Sequence, residues 1–213
     1  MKTDDLIALV SQDLRPVDPR AIGRSYGLVV FFGAAAALLM TRAPIGLTPF
    51  VPDYFGEPKL WLKLGFGVAV AATCLWAATR LGRPGTRAGW PLAWAVVPFA
   101  VVWAVGLATL VGAPAALRAD LIFGETWRSC TGTLALLSMP TLIGALLALR
   151  MMAPTRPMWA GAAAGGLAGG IAATVYSLHC PELAAPFLAV WYVLGVLIPV
   201  GVGAVIGRYL LRW

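Results

Sequence analysis

The stretch "YSLHCPE", residues 176–182, sets the chain's only histidine, His179, beside the thiol of Cys180 and the carboxylate of Glu182. A second thiol, Cys130, closes the motif "WRSC". Thr155, in the linker "APTRP", lies 25 residues from each of these cysteines. If both flanking segments are helices with equal rise per residue, that spacing brings the two sulfurs to one height on an antiparallel hairpin. Gly161, Gly165 and Gly169 repeat at the small-xxx-small spacing that lets helix backbones approach. Cys180 falls within about 20° of Gly169 on a helical wheel. On the other segment Cys130 shares a face with Thr141, Gly144 and Ala148. Small residues on both stripes would allow the Cα separation, under about 7 Å, that a disulfide needs.

Cationic neighbours stabilise the thiolate, the form that attacks oxidants and binds soft metals. Arg128 and His179 adjoin the two cysteines and offer that charge. Two chemistries follow: oxidation of the pair, and transient capture of a thiophilic cation by Cys130 and Cys180 with help from His179 and Glu182. No compact ligand spacing points to a resident metal, and no cofactor or enzymatic activity is expected. The competing reading makes both cysteines small apolar residues packed in a bundle. Cys74, in "TCLWAAT", has no chemical company and reads as packing alone.

These residues need elements to position them, and the composition says what those are. Of 213 residues, 60% are hydrophobic and only 12% charged, with a mean hydropathy of +0.84. A soluble domain carries about a quarter charged residues, so the chain reads as an all-α, polytopic membrane protein. Six segments reach the length of about 20 apolar residues that a span requires: 24–41, 60–79, 91–112, 130–149, 158–178 and 186–207. The division is a tail over 1–23 and a six-helix membrane domain over 24–213. The net charge of +7 reports basic loops rather than contact with nucleic acid. One side holds Lys2, Arg15, Arg20, Arg24, Arg80, Arg83, Arg87, Arg150, Arg156, Arg208 and Arg212; the other holds Arg42, Lys59, Lys63, Arg118 and Arg128. The bias places both termini in the cytoplasm and Cys130 and Cys180 outside. Beyond the tail, every acid (Asp53, Glu57, Asp120, Glu125, Glu182) falls in an outer linker.

The tail, "TDDLIALVSQDL", reads as a short amphipathic helix. Thr3 suits its cap, and Asp4 and Asp5 suit the positive end of its dipole. Leu6, Ile7, Val10 and Leu14 recur at helical spacing. So short a helix is marginal alone, and its stripe calls for the bilayer or a protein groove. The acidic opposite face favours the groove, since membrane-surface helices prefer Lys and Arg.

Taken together, "MKTDDLIALVSQDLRPV", six spans, "WRSC", "LSMP", "LRMMAPTRP", "AGAAAGGLAGG", "YSLHCPE" and "WYVLG" resemble the NrsF family of membrane anti-sigma factors. The resemblance covers almost the whole chain. It implies a bacterial inner-membrane protein that holds an extracytoplasmic-function sigma factor inactive until stress is sensed. It matches the family's paired cysteines to Cys130 and Cys180, and the family's N-terminal motif to the tail from Lys2 to Val17.

Two rivals stand beside it. A membrane thiol oxidoreductase feeding a quinone would want a C-x-x-C pair and a relay of thiols, neither of which is in the sequence. A small transporter would want an intramembrane carboxylate or an inverted repeat, and neither is evident.

Overall fold

The computed structural model describes residues 3–11, 21–42, 56–83, 85 and 89–212. Among these no strand occurs, and six helices are long and apolar enough to cross a membrane. In chain order the elements are α1 (Thr3–Ser11), α2 (Ala21–Arg42), α3 (Pro58–Leu81) and α4 (Gly89–Gly112). There follow a short α5 (Arg118–Phe123), α6 (Trp127–Arg150), α7 (Pro157–Tyr176) and α8 (Ala185–Leu210). The six expected spans all form. Proline opens α3 and α7, where its fixed φ suits the first turn and its missing N–H costs nothing. Pro98, Pro140 and Pro199 lie inside α4, α6 and α8, each of which continues past its proline.

The bundle is organised around α7. Nearly every residue of α7 is buried, with α8, α3, α6 and α2 packed around it. Its glycines make two seams. Gly161 and Gly165 lie against the α8 backbone at Gly203 and Pro199, while Gly166 and Gly170 lie against α3 at Cys74 and Ala71. Without Cβ atoms the backbones come within reach of dispersion contact, the force that holds helices together where lipid is as apolar as protein. The Gly161–Gly165–Gly169 stripe therefore belongs to the interface with α8, not with α6 as the hairpin argument supposed. On a helix made of small residues every face permits close approach, so the spacing marks a tight contact without naming its partner. Likewise Thr141 and Gly144 of α6 pack on α2, at Gly33 and Val29. Outward faces carry exposed large apolar side chains such as Phe31, Phe32, Trp94 and Leu107, as a lipid-facing surface requires.

In the tail, α1 carries Asp4 and Asp5 in its first turn, and Ile7 is exposed. The side chains of Leu6 and Val10, and all of Leu14, lie outside the described residues.

The glycine seams make opposite predictions for one substitution. A Cβ at Gly165 would drive into the backbone of Pro199 and Val200, which cannot swing aside. Gly165→Ala is expected to cost about 3 kcal/mol or more, the upper range of overpacking. Gly132 meets nothing within 4 Å, so Gly132→Ala should stabilise its helix by roughly 0.5–1 kcal/mol. Thermal unfolding of the two variants in detergent checks the pair; equal melting points would sink the packing account.

Candidate functional site: a dithiol clasped by a buried lysine

Cys130 sits in the first turn of α6, and its amide donates to the Thr126 carbonyl at 3.0 Å. Cys180 is not on a helix face. α7 ends at Tyr176, and the chain turns through Ser177, Leu178 and His179 before the Cys180 amide returns to the Tyr176 carbonyl at 3.0 Å. The wheel position expected for Cys180 therefore does not apply, while the equal height of the two cysteines does. Both side chains are buried, and the Cys130 thiol donates to the Cys180 sulfur. Thr126, just ahead of α6, brings its hydroxyl to 3.9 Å from the same sulfur.

The residue that assembles this corner is Lys63, one turn inside α3 and 0% exposed. Its ammonium donates to the carbonyl oxygens of Cys180 at 2.7 Å and of Glu182 at 2.9 Å. Nζ also sits 4.8 Å from the centre of the Tyr192 ring. A buried ammonium is tolerated only when its N–H groups find acceptors and anions stand close by. Here two carbonyls and the π face take the ammonium, and Cys180 and Glu182 are the groups of opposite charge in reach. The Cys180 thiol is accordingly held well below the usual thiol range. The Cys130 hydrogen bond is the main cause, with the Lys63 charge, the Glu182 amide and the Tyr192 hydroxyl adding to it against the opposing effect of burial.

Glu182 locks the turn from its other side. One carboxylate oxygen, Oε1, accepts the amides of Glu125 at 2.7 Å and Thr126 at 3.3 Å. These are N–H groups at the start of α6, where a negative charge is stabilised by unpaired donors and the helix dipole. Gly124 makes room: its φ of +54° suits glycine, and a side chain there would run into the Glu182 carboxylate. The far wall comes from α8, whose first turns widen into a π-helical segment over Leu188–Tyr192. Two carbonyls of that widened stretch accept from outside it: Ala189 from Trp103 at 2.9 Å and Trp191 from Thr131 at 3.2 Å. The segment carries Tyr192 to the thiols. The Tyr192 hydroxyl, buried without a conventional partner, faces the Cys180 sulfur. Trp191 donates to the Ile122 carbonyl at 2.8 Å and stacks with Trp127 and Phe123, closing the corner with α5.

A family model described as "Negative regulator of sigma F" matches residues 10–213. The chain belongs to the NrsF family. It is 42% identical over 219 residues to the probable anti-sigma-F factor NrsF of Azospira oryzae, with 100% of both chains covered. It is 39% identical over 218 residues to the anti-sigma-F factor NrsF of Caulobacter vibrioides, again with 100% of both covered. No solved structure matches the chain.

In this NrsF-family chain Lys63 supplies a charge beside the thiols that the sequence reading did not place there. Arg128 is exposed and lies over the Trp127 ring at 5.2 Å, and His179 packs its ring 5.7 Å from that of Tyr176. Lys63, counted by sequence among the topology-setting basic residues, is a buried cation. The signal that could have found it was a lysine within an apolar helix, "WLKLGFG", since intramembrane charge is retained for a purpose. Glu182, considered as a metal ligand, is committed to backbone amides. Among the described residues no three His, Cys, Asp or Glu side chains converge as a metal site. Cys74 lies apart from the pair, against Gly166.

The Glu182 clasp is testable. Glu182→Ala removes a helix-capping charge and should cost about 1–2 kcal/mol. Gly124→Ala should cost at least as much, because it combines backbone strain with displacement of the carboxylate. Combining the two should cost less than their sum, since both act on one contact. Unfolding midpoints in detergent measure this, and strict additivity would show the contact is not shared.

Proposed function

We propose that this chain is a membrane anti-sigma factor that holds an extracytoplasmic-function sigma factor and lets it go when Cys130 and Cys180 meet oxidative or thiophilic-metal stress. Family membership supports the anti-sigma half. The observation that carries the sensing half is the contact of two thiols from separate elements, next to a buried cation and an acceptor-rich turn. Such a corner is costly to build for packing alone, and its chemistry is that of reactive sulfur.

The proposed orientation puts the dithiol end in the periplasm and both termini in the cytoplasm, following the basic-residue bias. The cytoplasmic side then offers the tail (1–23) with its stripe of Leu6, Ile7, Val10 and Leu14, and the linker "RLGRPGTRAG", as the surface for the sigma factor. The membrane domain (24–213) is the transducer between the two ends. A tenfold release needs about 1.4 kcal/mol of differential affinity between the two thiol states, and disulfide formation supplies that order of energy. No direct contact with nucleic acid is part of this reading.

Co-purification tests it. The full-length protein with its sigma factor, isolated in detergent, should release the partner on treatment with a hydroperoxide or Cd²⁺. Cys130→Ser and Cys180→Ser should bind the sigma factor normally and lose release, the double variant being no worse than either single one. Leu6→Asp with Val10→Asp should abolish binding without stress. Retention of wild-type release in both serine variants would end the sensing proposal, and bound quinone in place of a sigma factor would favour the oxidoreductase.

Orientation has its own test. Cys130 and Cys180 are buried, so exposed reporters are better placed: Ser129→Cys beside the dithiol and Arg83→Cys at the opposite end, in a chain lacking native cysteines. An impermeant maleimide on spheroplasts should label the first and spare the second. The reverse pattern would invert the proposed topology.

A further inference from the structure

Two thiols in contact rarely react alike, because their surroundings differ. We propose that Cys180 is the attacking thiol and Cys130 the resolving one, and that Lys63 is the positioning residue that makes them unequal. The inference rests on the proposed thiol sensing and deepens it.

The asymmetry is geometric. Around Cys180 stand the Lys63 ammonium, anchored 2.7 Å from that residue's own carbonyl oxygen, the Thr126 hydroxyl 3.9 Å from its sulfur, and the Tyr192 hydroxyl facing that sulfur. The ammonium is a positive charge and the Tyr192 hydroxyl a donor, and both favour negative charge on the sulfur, to which the Thr126 hydroxyl can also donate. Cys130 sits in the first turn of α6, buried as Cys180 is, with its side chain in hydrogen-bond contact with the Cys180 sulfur. A cavity of about 550 Å³ lies over the turn that follows Cys180, lined by Pro181, Glu182, Gly124, Glu125 and Phe123. Neither Cys180 nor Cys130 lines it; it reaches the pair only through Pro181, the residue that follows Cys180.

The chemistry balances with a hydroperoxide as the oxidant. The Cys180 sulfur attacks the distal oxygen, an S–O bond forms, the O–O bond breaks, and the alkoxide leaves with the Cys180 proton as an alcohol. The Cys130 sulfur then attacks the Cys180 sulfur and the S–O bond breaks. Hydroxide leaves with the Cys130 proton as water. Two thiols are oxidised to a disulfide and one hydroperoxide is reduced. Lys63 takes no part in bond making; its two carbonyl contacts hold the Cys180 turn so that its charge acts on the Cys180 sulfur more strongly than on Cys130.

The test uses the full-length protein in detergent, with cumene hydroperoxide as oxidant, dimedone as the trap for sulfenic acid, and mass spectrometry to locate the adduct. Cys130→Ser should accumulate the adduct on Cys180. Cys180→Ser should label Cys130 about tenfold more slowly or not at all. Equal or faster labelling of Cys130 would overturn the assignment of roles. For Lys63, the readout is this selectivity rather than stability. Lys63→Met combined with each serine variant should bring the two labelling rates together, and Lys63→Arg should restore most of the difference. If the methionine variant does not fold, Lys63→Gln replaces it as the uncharged donor. Selectivity unchanged in a folded, uncharged variant would reduce Lys63 to a structural strut and overturn its part. These experiments contain no sigma factor, so failure of partner release with selectivity intact would count against the sensing role alone.

Discussion

A charged nitrogen with no access to water constrains everything around it. Desolvating an ammonium costs several kcal/mol even after the protein relaxes, and Lys63 sits fully buried among apolar residues in "LWLKLGFG" of α3. The expense is offset only where acceptors are fixed in advance. In this protein they are main-chain carbonyls of the Cys180–Glu182 turn, so the turn cannot move without exposing the lysine. Glu182 passes the constraint on to α6 through the amides of Glu125 and Thr126. Three elements, α3, the turn after α7 and the start of α6, are thus clamped by one cation and one carboxylate. The dithiol lies at their meeting point.

Below the clamp the bundle has little slack. At Gly161, Gly165 and Gly170 the backbone of α7 meets the backbones of α8 and α3 directly, so at those contacts no change of rotamer can absorb a shift. Close-packed interfaces of this kind respond by moving as bodies or not at all. The same glycines that leave the α7 sequence featureless therefore suit it to carry a displacement from the Cys180 turn toward the far end of the helix, near Pro157 and Gly207.

The legible and the illegible parts of this protein divide along physical lines. Span positions follow from apolar length, which is a local property, and all six were readable to within a few residues. Equal height of Cys130 and Cys180 was readable because helical rise is constant. Which face met which neighbour was not, because Gly161, Gly165 and Gly169 specify closeness without identity. The wheel position of Cys180 failed because nothing in "ATVYSLHCPE" marks Tyr176 as the last helical residue; the following Pro181 limits the helix only from beyond. Lys63 was misread for a different reason. Near a span end a lysine ordinarily snorkels to the interface, and only tertiary contact with a turn 117 residues later reveals the buried alternative.

The clamp also bears on how a change at sulfur would be felt. While Cys180 carries negative charge, it helps to compensate the lysine; a disulfide is neutral and withdraws that help. The ammonium would then rely on the two carbonyls, the Tyr192 face and Glu182 alone. Removing one partner of a buried pair costs about 3–5 kcal/mol when nothing relaxes, whereas a tenfold change in partner affinity needs only about 1.4 kcal/mol. A fraction of that penalty, relieved by a shift of α3 or of the Cys180 turn, would be enough for the proposed switch. In the proposed switch, a neutral residue in place of Lys63 would leave the two sulfurs adjacent but the helices indifferent to their state, so the buried charge, rather than the proximity of the thiols, would couple chemistry to conformation.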